Sequence, residues 1–293
     1  MLPIRDNNPT HSTAYVTISL IVLNCLIFLF EVWGPVDQTQ FTWKYGFVPA
    51  ELVRDSDGFR AACSQEIQQQ FQEDPAMHRQ VTDRWGRPLY YRGRPVLLQD
   101  KAAIKVATQA TVENAVGLPG WLNIFTCMFL HGGWTHLIGN MLFLWIFGNG
   151  IEDRLGPWLF LIFYLGTGVC GNLLHTYFDP GFVPLVGASG AISGVMGGYI
   201  LLFPFARILA IVPIGWYPAT ISLPAWSYLG IYILLQNLWP AFSGAGKGNV
   251  AYWAHIGGFA SGMALIHAFP HHKRPPPARP AHDSIEDDAD FVL

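Results

Sequence analysis

Long apolar runs separated by short polar breaks dominate the chain, and they predict six membrane-spanning helices at residues 14–34, 135–151, 157–178, 187–205, 224–242 and 250–269. A spanning helix needs about 20 mostly apolar residues, which these runs meet or approach. Charge is pushed out of them: from Trp121 to Pro270 the only charged side chains are Glu152, Asp153, Arg154, Asp179, Arg207 and Lys247. The first run is too long for the apolar core of a signal peptide, and no small-residue cleavage site follows it, so it reads as an uncleaved first helix.

The connections fix an orientation. With residues 1–13 in the cytosol, Arg5, Arg154, Arg207, Lys273, Arg274 and Arg279 all fall on the cytosolic side, and Lys247 is the one cation in a short outer loop. Both termini are then cytosolic. Residues 35–120 break the apolar pattern with ten Lys/Arg and ten Asp/Glu, and they read as a large external insertion between helices 1 and 2, since long loops cross largely regardless of charge. Within it, residues 64–72 suggest a short polar helix and 87–94 a turn or hairpin. The insertion could read substrates or cap the outer face. Residues 207–223 are apolar but broken by Pro213, Gly215 and Pro218, which suits an interfacial loop better than a seventh helix. The tail, 270–293, is Pro-rich and then acidic, a composition expected to be disordered.

Composition agrees with the pattern. Of 293 residues 51% are apolar and 13% charged, too few charges for an ordinary soluble domain. The net charge of −3 comes without a basic block in the core, so there is no nucleic-acid footprint. The four cysteines form no CxxC pair and read as small buried apolar residues rather than disulfide or metal partners.

Polar groups inside hydrocarbon are costly unless paired or functional, so the few present bear the chemistry. Gly187-Ala188-Ser189-Gly190-Ala191-Ile192-Ser193-Gly194 opens the fourth run directly after an outer loop. Ser189 would stand in a first helical turn, where free N–H groups and the positive dipole end favour a developing oxyanion, a suitable place for a nucleophile. Packing is the competing reading, because Gly190, Gly194 and Gly198 form a small-residue stripe. His255 stands in the last run among Ala254, Gly258 and Gly262, a second stripe of the same spacing. If the stripes face each other, close backbones bring hydroxyl and imidazole within hydrogen-bond reach, and His255 becomes the base. No carboxylate is available on either helix, which implies a Ser–His dyad whose imidazole is held by packing or a neutral partner.

His131-Gly132-Gly133-Trp134-Thr135-His136 precedes Asn140, and His136 and Asn140, four apart, share a helical face as candidate oxyanion donors. A zinc site of His131, His136 and His255 is the alternative, weakened by the lack of an HExxH motif. The glycine-rich loop 243–249 is either a lid or a plain connector, and His175 and His267 read as interfacial or structural. A transporter with polar groups at helix breaks is the reading from another class. It lacks the internal repeat expected of one.

Taken in order and spacing, His131, His136 and Asn140, then Glu152-Asp153-Arg154-Leu155-Gly156, then Gly187-Ala188-Ser189-Gly190, then Ala254-His255-Ile256-Gly257-Gly258, the chain resembles the rhomboid family of intramembrane serine proteases over residues 121–269. The resemblance implies an all-α polytopic bundle of six helices, with a short recessed Ser189 helix beneath an outward-facing aqueous cavity. It implies an endopeptidase without cofactor or metal, with Ser189 attacking, His255 moving the proton, and His136, Asn140 and the Ser189 N–H holding the oxyanion. Single-span membrane proteins in the lipid bilayer are the implied substrates, and an inactive escort protein of the same fold is the alternative. The compact layout suggests a bacterial plasma membrane. Two departures stand out: no arginine follows Trp121, and Ser193 occupies the place where many members carry an aromatic ring under the histidine.

Overall fold

A computed structural model describes residues 1–36, 38–53, 90–91, 94–95, 119–181, 183–214, 217–243 and 250–270. Its elements in chain order are β1 (Leu2–Asp6), α1 (Tyr15–Trp33), α2 (Gln38–Tyr45), α3 (Pro49–Val53), β2 (Tyr90–Tyr91), β3 (Arg94–Pro95), α4 (Gly120–Thr126), α5 (Trp134–Leu155) and α6 (Pro157–Phe178). There follow α7 (Ser189–Leu202), β4 (Arg207–Ile214), β5 (Tyr217–Pro224), α8 (Ala225–Ile233), a π-turn over Leu234–Leu238, α9 (Trp239–Ser243) and α10 (Tyr252–Ile266). Among the described residues, α1 and α6 are the two helices long and apolar enough to cross a bilayer by length and composition alone.

Helix α7 is the centre of the bundle. Every residue from Gly190 to Tyr199 is buried, as expected of a helix apolar on all sides. Its 14 residues span roughly 21 Å at about 1.5 Å each, well short of a hydrocarbon core of about 30 Å. Its contact with α10 is backbone against backbone. A Cβ added at Gly258 would lie 2.0 Å from the Gly190 carbonyl oxygen, and one at Gly262 2.0 Å from that of Gly194. From the other side, a Cβ on Gly197 would lie 2.1 Å from the Phe259 oxygen. The two small-residue stripes therefore face each other. Helix α6 joins through Gly171, whose added Cβ would sit 2.5 Å from the Ala254 oxygen.

Helices α5 and α6 reverse at one residue, Gly156, whose φ of 80° is left-handed, and Pro157 then starts α6 with its φ already helical. The acids just before this turn have a structural task. Helix α1 has Ala14 as its N-cap residue and so no side-chain cap of its own. Glu152 supplies one from α5: its carboxylate accepts from the Val16 N–H (2.8 Å), the Thr17 N–H (2.7 Å) and the Thr17 hydroxyl (2.7 Å). Asp153 accepts from the N–H groups of Ser12 (2.8 Å) and His11 (3.1 Å). Two acidic side chains thus accept from the N–H groups at the start of α1 and just before it. At the far end Trp134 packs on Phe28 and Trp33, with centroids 4.9 and 6.1 Å away, so α1 and α5 run antiparallel. Glu152→Ala strands these buried donors and should cost about 1–3 kcal/mol. A lowered Tm of the purified variant checks it.

The expected interfacial loop at 207–223 is instead a β-hairpin, so the described residues are mostly rather than wholly helical. Arg207 pairs with Pro224 through to Ile214 with Tyr217, and β1 adds antiparallel to β4 in the order β1-β4-β5. Ile208 and Ala210 are buried while Arg207 is exposed and Leu209 half-buried, the two-residue period of a strand. Pro213 and Pro218, which rule out a helix, face each other beside the turn, past the last β4 residue that β1 pairs with, Ile211. Tyr199, near the end of α7, donates to the Asp6 carboxylate, and Asn7 accepts from the Arg207 N–H (2.6 Å). The N-terminal strand and the α7–α8 connection therefore lie together, at the end of α7 away from Ser189.

Of the insertion, α2, α3 and the pairing of Tyr90–Tyr91 with Arg94–Pro95 are described, and Phe47 bridges to Leu185 just ahead of Ser189. The polar helix expected at 64–72, most of the loop 243–249 and the tail from 271 lie outside the described residues. Cys25, Cys127 and Cys170 are free thiols.

Candidate active site

Ser189 is the first residue of α7, and His255 lies in the first turn of α10. Because glycines let these helices touch, Ser189 Oγ and His255 Nε2 come within 2.7 Å of each other. The other ring nitrogen is also occupied. Nδ1 of His255 lies 2.7 Å from Oδ1 of Asn237, a buried residue in the π-turn after α8. Asn237 is a neutral partner for the imidazole that no local sequence motif marks. Nδ2 of Asn237 donates to the Tyr232 carbonyl oxygen (3.0 Å), and the Tyr232 hydroxyl meets Ser193 Oγ (3.0 Å). Ser193, standing where an aromatic is common, thus anchors a tyrosine from a different helix.

His136 and Asn140 sit one turn apart on α5 and converge on the turn before Ser189. Gly187 adopts φ +123°, and a Cβ there would lie 2.7 and 2.8 Å from Cε1 and Nε2 of His136 and 3.6 Å from Nδ2 of Asn140. Only a glycine leaves that space open, since both its φ and its surroundings exclude a side chain. The Asn140 Nδ2 is buried and, among the described residues, has no hydrogen-bond acceptor. An unspent donor of this kind costs free energy in the resting protein and is the sort of group an oxyanion would engage.

His131 lies behind His136, ring centroids 5.2 Å apart and nearly perpendicular. Burial, helped by the neighbouring His136, pushes its imidazole down to about 3, so it is uncharged at neutral pH. The three histidines do not converge: among the described residues no group of three His, Cys, Asp or Glu is placed to hold a metal, and both nitrogens of His255 are committed elsewhere. Glu31, a second residue the sequence reading passed over, is buried in α1 with one carboxylate oxygen 3.5 Å from the His131 N–H. His175 is buried near the end of α6.

The model of the Rhomboid domain matches residues 119–271, just over half of the 293-residue chain. The chain belongs to the rhomboid family. Rhomboid membership makes the bundle a helical, polytopic fold of an integral membrane protein. Among its relatives, the putative rhomboid protease YdcA of Bacillus subtilis is 38% identical over 89 residues, covering 30% of this chain and 45% of the relative. Rhomboid protein 1, mitochondrial, of Saccharomyces cerevisiae is 33% identical over 150 residues, 48% of this chain and 40% of the relative. Rhomboid protease GluP of B. subtilis is 31% identical over 158 residues, 54% of this chain and 28% of the relative. The chain spans about half or less of the length of these relatives. With a chloroplastic protein of Arabidopsis thaliana also among them, rhomboid relatives reside in bacterial and organellar membranes alike.

Proposed function

We propose that this rhomboid protein is an intramembrane serine endopeptidase that cuts single-span membrane proteins near the outer face of the bilayer. The contact of 2.7 Å between Ser189 Oγ and His255 Nε2 carries the reading. Ser189 Oγ attacks the scissile carbonyl carbon as its proton passes to His255 Nε2. The resulting oxyanion accepts hydrogen bonds from Asn140 Nδ2, His136 and the Ser189 N–H at the head of α7. The C–N bond then breaks and His255 returns the proton to the leaving amine. Water, deprotonated by His255, releases the acyl group as a carboxylate and restores Ser189. No cofactor or metal enters these steps.

Six spans near residues 14–34, 135–151, 157–178, 187–205, 224–242 and 250–269, with both termini cytosolic, complete the proposal, in a bacterial plasma membrane. Aromatic exposure supports the outer and inner boundaries. Tyr15 and Trp158, near the starts of α1 and α6, and Trp33 and Tyr177, near their ends, are 69–78% exposed. Such pairs lie about 20 residues, or about 30 Å, apart, the spacing of interfacial aromatic belts.

Purified protein should cleave a single-span reporter and be labelled covalently by a fluorophosphonate probe. Folded protein doing neither would instead be the binding or escort relative. Within the mechanism, His136→Ala and Asn140→Ala should each lower kcat by about 10²–10³-fold, as expected for one oxyanion donor. Labelling by a phosphonate, whose oxygen occupies the same space, should slow in parallel. Unchanged rates in both variants would remove these residues from the oxyanion site.

A further inference from the structure

For Ser189 to give up its proton, His255 must hold its own on Nδ1 and leave Nε2 bare. We propose that Asn237 is the positioning residue that enforces this tautomer, so that the Ser189–His255 dyad is oriented by an amide from a third helical segment. The inference rests on the protease reading and follows from hydrogen-bond polarity alone. A backbone carbonyl only accepts, so the group of Asn237 facing the Tyr232 carbonyl at 3.0 Å is its NH₂. The amide oxygen is thereby turned to His255, at 2.7 Å from Nδ1. An amide oxygen also only accepts, so Nδ1 carries the proton. Nε2 is then the acceptor, and at 2.7 Å it accepts from the Ser189 hydroxyl. Each link leaves the next one a single choice, from the Tyr232 carbonyl to the nucleophile.

The local backbone is built for this. Asn237 and Tyr232 are five residues apart, the spacing of the π-turn that spans Leu234–Leu238, and such turns commonly mark functional positions in helices. The Tyr232 hydroxyl, 3.0 Å from Ser193 Oγ, pins the same segment to α7 one turn beyond Ser189. The neutral amide orients the imidazole without placing a formal charge in the bilayer, where an unpaired carboxylate would be expensive.

Asn237→Ala and Asn237→Leu should lower kcat for reporter cleavage by about 10- to 100-fold, as for other groups that orient a functional imidazole, with KM unchanged and only the small Tm loss expected for a buried amide's hydrogen bonds. Asn237→Asp keeps an oxygen toward Nδ1 and should recover most of the loss. In ¹⁵N-labelled protein the His255 ring, assigned by its absence in His255→Ala, should show a protonated Nδ1 that shifts toward Nε2–H in Asn237→Leu. Full kcat in Asn237→Leu would overturn the proposal. So would a loss in all three variants that tracks Tm, with no recovery in Asp, since that is the behaviour of a structural brace. If the unaltered protein cleaves nothing, the protease reading fails on its own. The ¹⁵N measurement still decides the tautomer, and an Nδ1–H retained in Asn237→Leu refutes the role of Asn237.

Discussion

Ser189→Ala should reduce reporter cleavage by roughly 10⁶-fold, His255→Ala by a similar factor, and the double variant by no more than either alone. Non-additivity is the expected signature of a unit: without the hydroxyl the imidazole has no proton to take, and without the imidazole the hydroxyl is a poor nucleophile. Neither substitution should unfold the protein. Ser189 is the first residue of α7 and Ala188 before it makes no side-chain cap, so the serine loses one hydrogen bond to His255 and no structural cap. One such bond is worth about 0.5–1.5 kcal/mol, too little to dissolve the bundle. Cleavage by purified protein, covalent fluorophosphonate labelling and Tm should be measured together. Normal cleavage by Ser189→Ala would remove the nucleophile. Additive losses in the double variant would mean that the two residues act separately.

The parts of this site that are readable in sequence are those with local signals. A serine between glycines at the head of an apolar run, a histidine in a matching glycine stripe, and a His/Asn pair four apart each announce an unusual group in an unusual place. The parts that escape are tertiary. Asn237 is an ordinary amide 18 residues before His255, across a glycine-rich loop, and its meaning depends on the direction in which a π-turn points it. Glu31 is a lone acid near the end of a span, and its relation to the His131 backbone, 100 residues on, is a matter of packing. The hairpin at 207–224 was hidden because its residues are apolar on both faces, which blurs a two-residue period. The strand that completes its sheet, Leu2–Asp6, lies about 200 residues earlier. Proline excluded a helix there correctly, but it does not separate a loop from an edge hairpin.

Gly258→Ala and Gly262→Ala are expected to be the most damaging small substitutions outside the reacting groups. Membrane helices associate through close packing of small residues, and here each added methyl carbon would stand 2.0 Å from a carbonyl oxygen of α7, at Gly190 and Gly194. Those atoms are backbone, so no rotamer change relieves the contact and α7 and α10 must move apart. Overpacking of this sort costs about 1–3 kcal/mol, and the rigid neighbour argues for the upper part of that range. The catalytic consequence is larger than the loss of stability. Ser189 is on one helix and His255 on the other, so separating the backbones stretches the 2.7 Å contact between them. A displacement of about 1 Å at reacting groups can cost about 10²-fold in rate. Gly139→Ala and Gly166→Ala, where nothing lies within 4 Å of the added carbon, are the matched controls. They should leave activity intact and raise Tm slightly, by the helix propensity gained over glycine. Fluorophosphonate labelling below the Tm of each variant separates the two effects: Gly258→Ala and Gly262→Ala should label slowly even while folded. Labelling at the unaltered rate would mean that close α7–α10 packing does not set the Ser189–His255 distance.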